Sequence, residues 1–120
     1  MHKYKIFLAD REQNNLNSYK AYFRRHLDFE IAFFSSSDSL LKELKNSHSD
    51  LFVIDHDIIS EVGIDFFIKL KVNLIVLTSS RDLQELETLV KHKQIEKYIC
   101  KPFEMDSLNN IIKSSLVKHS

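Results

Sequence analysis

Glycine, proline and cysteine are nearly missing from this chain. Its 120 residues hold one of each, Gly63, Pro102 and Cys100, and there is no tryptophan. A single cysteine excludes an internal disulfide and suits a reducing, cytoplasmic setting. A single glycine excludes a glycine-rich phosphate loop, and with it a nucleotide or flavin site built on one. An excess of one charge is missing too, because 17 basic and 17 acidic side chains cancel. That balance argues against nucleic acid as a direct partner and against a basic membrane-binding face. No apolar run approaches the roughly 20 residues that span a bilayer. The stretch Ile6-Phe7-Leu8-Ala9 is too short for a signal peptide before it meets Asp10. The histidines at 2, 26, 48, 56, 92 and 119 show no metal-ligand spacing, and His56 reads as a solvent-facing loop side chain.

What is present is an alternation of two periods. Short apolar runs rich in β-branched and aromatic residues predict strands over Lys5 to Ala9, Glu30 to Phe34, Leu51 to Ile54, Leu74 to Leu77 and Lys97 to Cys100. Continuous runs of this kind suit strands covered on both faces, as in a parallel sheet. Helical stripes lie between them. They are Leu16, Tyr19, Tyr22 and Phe23; Leu40, Leu41 and Leu44, with Asp38 as N-cap; Phe66, Phe67 and Leu70; Leu83, Leu86, Leu89 and Val90, with Ser80 or Asp82 near the start; and Leu108, Ile111, Ile112 and Leu116. Gly63 is expected in a loop after the third strand. Strand and helix alternating over this length imply one α/β domain, residues 1–120, folded as a doubly wound, five-stranded parallel sheet in a three-layer sandwich.

In such sheets functional groups collect at the carboxyl ends of the strands. Asp10, Asp55, Thr78 and Lys101 all fall there. Each has a bland reading: a turn acid, a strand-end threonine, an ordinary Lys-Pro dipeptide. Together they are the parts of a phosphoryl-acceptor site. A carboxylate (Asp55) can attack phosphorus and hold it as an acyl phosphate. A hydroxyl (Thr78) can donate to a phosphoryl oxygen, and an ammonium (Lys101) can balance its charge. The chemistry also calls for a divalent cation between the carboxylate and phosphoryl oxygens. Cys100 reads as a small apolar filler, and Phe29, Phe33 and Phe34 as core and edge packing.

With these residues in place, the chain resembles the receiver domain of bacterial two-component response regulators over essentially its whole length. Asp55 matches the phosphoacceptor, Gly63 the loop glycine eight residues on, and Leu77-Thr78-Ser79 the switch threonine and its small neighbour. Tyr98-Ile99-Cys100-Lys101-Pro102-Phe103 matches the family's aromatic, Lys, Pro and Phe. The resemblance implies a flavodoxin-like strand order of 2-1-3-4-5 and a cis peptide before Pro102. It implies Thr78 and Tyr98 as the switch pair, and Mg²⁺ held by Asp10, Asp55 and the backbone carbonyl of Asp57. It also implies a non-enzymatic module in a phosphorelay. The donor would be a histidine kinase or phosphotransfer protein, and a downstream protein would read a face formed by about residues 81 to 98 and 104 to 117. A homodimer is a further expectation, and the chain suits a stand-alone receiver or the first domain of a longer protein.

The departures concentrate on the metal. Where the family has two adjacent acids after the first strand, this chain has Asp10-Arg11. Glu12 is the nearest substitute carboxylate. Ile59 stands where the family usually has Pro, and Val62 where an Asp often precedes the glycine. An Arg about 4 Å from a carboxylate interacts by roughly 4 kcal/mol at an effective dielectric near 20, and it is repelled by Mg²⁺. Weak Mg²⁺ use is therefore expected. The alternative is a phosphorylation-independent pseudo-receiver adaptor that keeps the fold and a partner surface. Arg11 and Ile59 favour the adaptor; Asp55, Thr78, Lys101 and Tyr98 favour the phosphorylated receiver.

Overall fold

The structure, a computed structural model, describes residues 3–26, 28–71, 73–79 and 95–118. In chain order these form β1 (Lys5–Ala9), α1 (Gln13–Phe23), β2 (Glu30–Phe34), α2 (Ser37–Leu44), β3 (Leu51–Asp55), α3 (His56–Val62), α4 (Ile64–Leu70), β4 (Leu74–Thr78), β5 (Ile95–Cys100) and α5 (Met105–Lys118). The five strands make one sheet in the order β2-β1-β3-β4-β5, and every pairing is parallel. The expected helix over Leu83 to Val90, with Ser80 or Asp82 at its start, lies outside the described residues.

Side chains alternate across a strand, so the apolar runs supply two cores. Ile6, Leu8, Leu51, Val53, Ile75 and Leu77 meet Leu16, Tyr19 and Phe23 of α1 and Leu108, Ile112 and Leu116 of α5. Phe7, Ala9, Phe52, Ile54, Leu74 and Val76 meet Leu40, Ile58, Ile59 and Phe67 of α2, α3 and α4. Strands β3 and β4 are buried throughout, whereas β2 runs from exposed to buried as befits an edge. The sheet thus carries helices on both faces, the doubly wound sandwich its periods predict.

Several local expectations need correction. Ser36, not Asp38, caps α2: its hydroxyl accepts from the Ser39 amide at 3.1 Å. The segment after Asp55 is helical, not a loop, and Gly63 ends it at φ +99°. No proline or glycine interrupts residues 56–62, and Ile58 and Ile59 bury themselves against the sheet, so nothing prevents a helical turn there. His56 opens that helix and is buried. Cys100 is exposed, not a filler. Strand β5 begins two residues before the expected Lys97, because its pairing with β4 slips between Leu74 and Ile75.

Candidate phosphoryl-acceptor site

Asp10, which follows β1, is drawn to the carboxyl edge of the sheet when its amide donates to the Phe34 carbonyl at 3.0 Å. Asp55 closes β3, and its register partner on β4 is Leu77, next to Thr78. The Lys101 amide donates to the Thr78 carbonyl at 2.6 Å, which brings the residue after β5 to the same edge. The Lys101–Pro102 bond is cis. From this edge the Lys101 ammonium reaches both acids: it donates to Asp10 Oδ2 at 2.9 Å and to Asp55 Oδ1 at 3.4 Å. Asp10 is fully buried, and Asp55 and Thr78 nearly so.

Asp10 is heavily committed. Its Oδ1 accepts from the Glu12 amide at 3.0 Å, an Asx-type turn that leads the chain into α1. Its Oδ2 accepts from Lys101, from Asn15 Nδ2 at 3.3 Å and from the Tyr19 hydroxyl at 2.9 Å. Burial, reinforced by the Asp10 charge and hydrogen bond, pushes the Tyr19 hydroxyl far above the usual tyrosine range, so it stays a donor. Sequence reasoning placed Tyr19 only in the core. Burial of a tyrosine, whose hydroxyl usually requires a partner, was the available signal.

Asp55 is less well served. Burial raises its carboxyl above the ordinary carboxylate range, and the charges of Asp10 and Asp57 push the same way. Lys101 and the Arg11 amide, which donates to Asp55 Oδ2 at 3.4 Å, pull it back. For Lys101, burial alone would lower its pKa; the hydrogen bond to Asp10 and the charges of Asp55 and Asp10 outweigh burial and raise it.

The remaining candidates spread outward. Arg11 offers Asp55 only its backbone: its guanidinium lies 3.5 Å from Glu61 Oε2, and both side chains are about half exposed. Glu12 and Asp57 are exposed. Asp57 sits in the first turn of α3, where a helical backbone directs its carbonyl along the helix axis toward residue 61. The Thr78 hydroxyl donates to the Ser79 carbonyl at 3.0 Å. Tyr98 is exposed, at 44%.

Mg²⁺ takes hard oxygen donors and is often held by one or two carboxylates, with water and phosphate completing the shell. Asp10 and Asp55 are donors of the right kind. As arranged they do not present an open site, because an ammonium already bridges them and Asp10 Oδ2 accepts from two further groups. Among the described residues no group of three or more His, Cys, Asp or Glu stands ready for a metal ion.

The family model for the response regulator receiver domain matches residues 6–113, and the chain belongs to that family. Its fold is shared with several solved structures. One is the signal receiver domain of an HD domain-containing protein from Pseudomonas fluorescens Pf-5, with TM-score 0.83 and 18% identity over 98% of this chain and 97% of that one. Another is a CheY-like response regulator receiver domain protein from Methanospirillum hungatei JF-1, with TM-score 0.81 and 17% identity over 98% and 96%. A third is described as adenylate cyclase from Rhodopirellula baltica, with TM-score 0.78 and 21% identity over 96% and 88%. No curated protein matches the sequence.

Proposed function

We propose that this receiver domain accepts a phosphoryl group on Asp55 and passes the change to a protein-interaction surface. The observation that carries the reading is the Lys101 ammonium bridging buried Asp10 and Asp55, with Thr78 on the neighbouring strand end. An Asp55 carboxylate oxygen would form a bond to phosphorus as the donor's phosphorus–nitrogen bond breaks. The histidine of a kinase or phosphotransfer protein would leave with the electron pair and take up a proton. Lys101 would balance the added charge. The Thr78 hydroxyl would turn from Ser79 toward the phosphoryl oxygens, and Tyr98 would follow inward as the switch residue. Asp10 and Asp55 are the residues that would hold Mg²⁺ were their present donors displaced, and the ion would then supply charge neutralisation.

A downstream protein, or a second copy of the chain, would read the face of residues 81–98 and 104–117. Much of that face, including Arg81, Glu85 and Lys91, lies outside the described residues. Its strand portion carries the exposed Lys97 and Tyr98. Among the described residues no helix is long and apolar enough to cross a membrane, and we take a cytoplasmic phosphorelay as the setting.

The test is incubation with acetyl phosphate and Mg²⁺, with the product mapped by mass spectrometry. A hydroxylamine-labile phosphoryl group on the peptide holding Asp55, lost in Asp55→Ala, is expected. Absence of label after long incubation would favour the second reading, a phosphorylation-independent adaptor. That reading draws its support from the hydrogen bonds already filling Asp10 and from Arg11 in place of an acid. For an adaptor, Asp55→Ala would leave partner binding unchanged.

A further inference from the structure

The oxygen of Asp10 that a bridging cation would use can be identified. Lys101 touches Asp10 through Oδ2 and Asp55 through Oδ1, so these are the two oxygens that face the cation the site already holds. Oδ2 is also the oxygen that accepts from Tyr19 and Asn15. Three donors exceed the two lone pairs of a carboxylate oxygen that hydrogen bonds use well. A divalent ion that takes these same two oxygens has to displace the ammonium, and it still meets the phenolic hydroxyl and the amide on Asp10 Oδ2.

Tyr19 is held firmly in that position. It is a buried residue of α1, packed in the core against Ile6, Leu8 and α5, and its ring lies parallel to that of Phe103, with centroids 6.3 Å apart. Phe103 follows Pro102, so the ring is braced by the segment that delivers Lys101. The obvious suspect is placed differently: the Arg11 guanidinium is turned out to Glu61.

We infer that Tyr19 is a specificity-determining residue of this receiver: its hydroxyl occupies the cation-facing oxygen of Asp10 and holds the site against Mg²⁺. This inference rests on the receiver reading only in taking Asp10 and Asp55 as the pair that would carry the ion. A hydrogen bond to a charged group that must be surrendered when the ion binds corresponds to a loss of roughly tenfold or more in affinity.

The experiment is a titration of the whole chain with Mn²⁺, read by loss of the free-ion electron paramagnetic resonance signal, with Mg²⁺ as competitor. Tyr19→Phe keeps the ring and its stack on Phe103 and removes only the hydroxyl. It is expected to tighten both ions about tenfold, and Asp55→Ala in the same background is expected to abolish the gain. Unchanged or weaker affinity in a folded Tyr19→Phe protein overturns the inference, as does a gain that survives Asp55→Ala. If Tyr19→Phe does not fold, Tyr19→Met carries the test: it too removes the hydroxyl from Asp10 Oδ2, and unchanged affinity there overturns the inference equally. Labelling of Asp55 by acetyl phosphate is scored separately. A tightened ion without label upholds the role of Tyr19 and rejects the phosphoacceptor reading. Label with no change of affinity on Tyr19→Phe does the reverse.

Discussion

Arg11 pairs with Glu61, 3.5 Å away across the rim of the site, and contributes to Asp55 only through its backbone amide. The pair joins the turn after β1 to helix α3. Both side chains are about half exposed, so water and salt screen the attraction, and exposed pairs of this kind are worth about 0 to 1 kcal/mol. Arg11→Ala and Glu61→Gln are each expected to change unfolding stability by less than about 1 kcal/mol in urea titration. The difference from wild type should shrink in high salt. A loss of several kcal/mol would mean that the guanidinium is buried against the acids after all.

Lys101 is different in kind, because it bridges two acids that are nearly or wholly buried. Removing one partner of a buried ion pair strands the other charge and costs about 3 to 5 kcal/mol. Lys101→Met is expected to lower stability by about that amount. Its shorter contact is with Asp10, so Asp10→Asn should recover more of the loss than Asp55→Asn does. A double-mutant cycle by denaturant unfolding measures both couplings. Equal and negligible couplings would show that Lys101 acts on the fold by packing alone.

Asp55 gives a prediction with a definite sign. Burial raises its folded-state pKa above the unfolded value, so in that interval the native protein binds more protons than the unfolded chain. The stability lent by the protonated carboxyl is present in acid and is lost as pH rises through the raised pKa. Asp55→Asn lacks this loss. Its advantage relative to wild type is expected to grow from acid toward neutral pH and to fade as pH falls below the raised value. Thermal melts of both proteins across that range check it, and an advantage that grows in acid would contradict it.

Much of this site was legible because strand ends can be counted from apolar runs. Asp55, Thr78 and Lys101 follow such runs directly, and the sheet brings their positions to one edge. The direction of Arg11 was not legible, since a side chain after a strand end can turn either way and Glu61 lies on an element the sequence reading did not contain. The Tyr19–Asp10 bond was missed for a related reason. The stripe of Leu16, Tyr19 and Phe23 marks the residue as core, but periodicity carries no information about where a hydroxyl at the end of a ring will point. The helix after Asp55 was overlooked because Gly63 reads equally as a loop glycine and as the residue that stops a helix.

That helix supplies the last prediction. Ile59 is its fourth residue and is buried against the sheet, with its carbonyl accepting from the Gly63 amide at 2.8 Å. A proline at 59 would lose the amide that an α-helix directs at the residue 55 carbonyl, and its ring would crowd that carbonyl. It would also forfeit the isoleucine's packing. Ile59→Pro is expected to cost about 3 kcal/mol or more. Gly63→Ala isolates the backbone contribution, because a Cβ there meets nothing within 4 Å while φ is +99°. Its cost should be about 1 to 2 kcal/mol, from conformation alone. Denaturant unfolding with unchanged m-values would assign both losses to the native state. Should Ile59→Pro prove neutral, residues 56–62 would have to be a loop in solution, and the carbonyl of Asp57 would be free to turn toward Asp10 and Asp55.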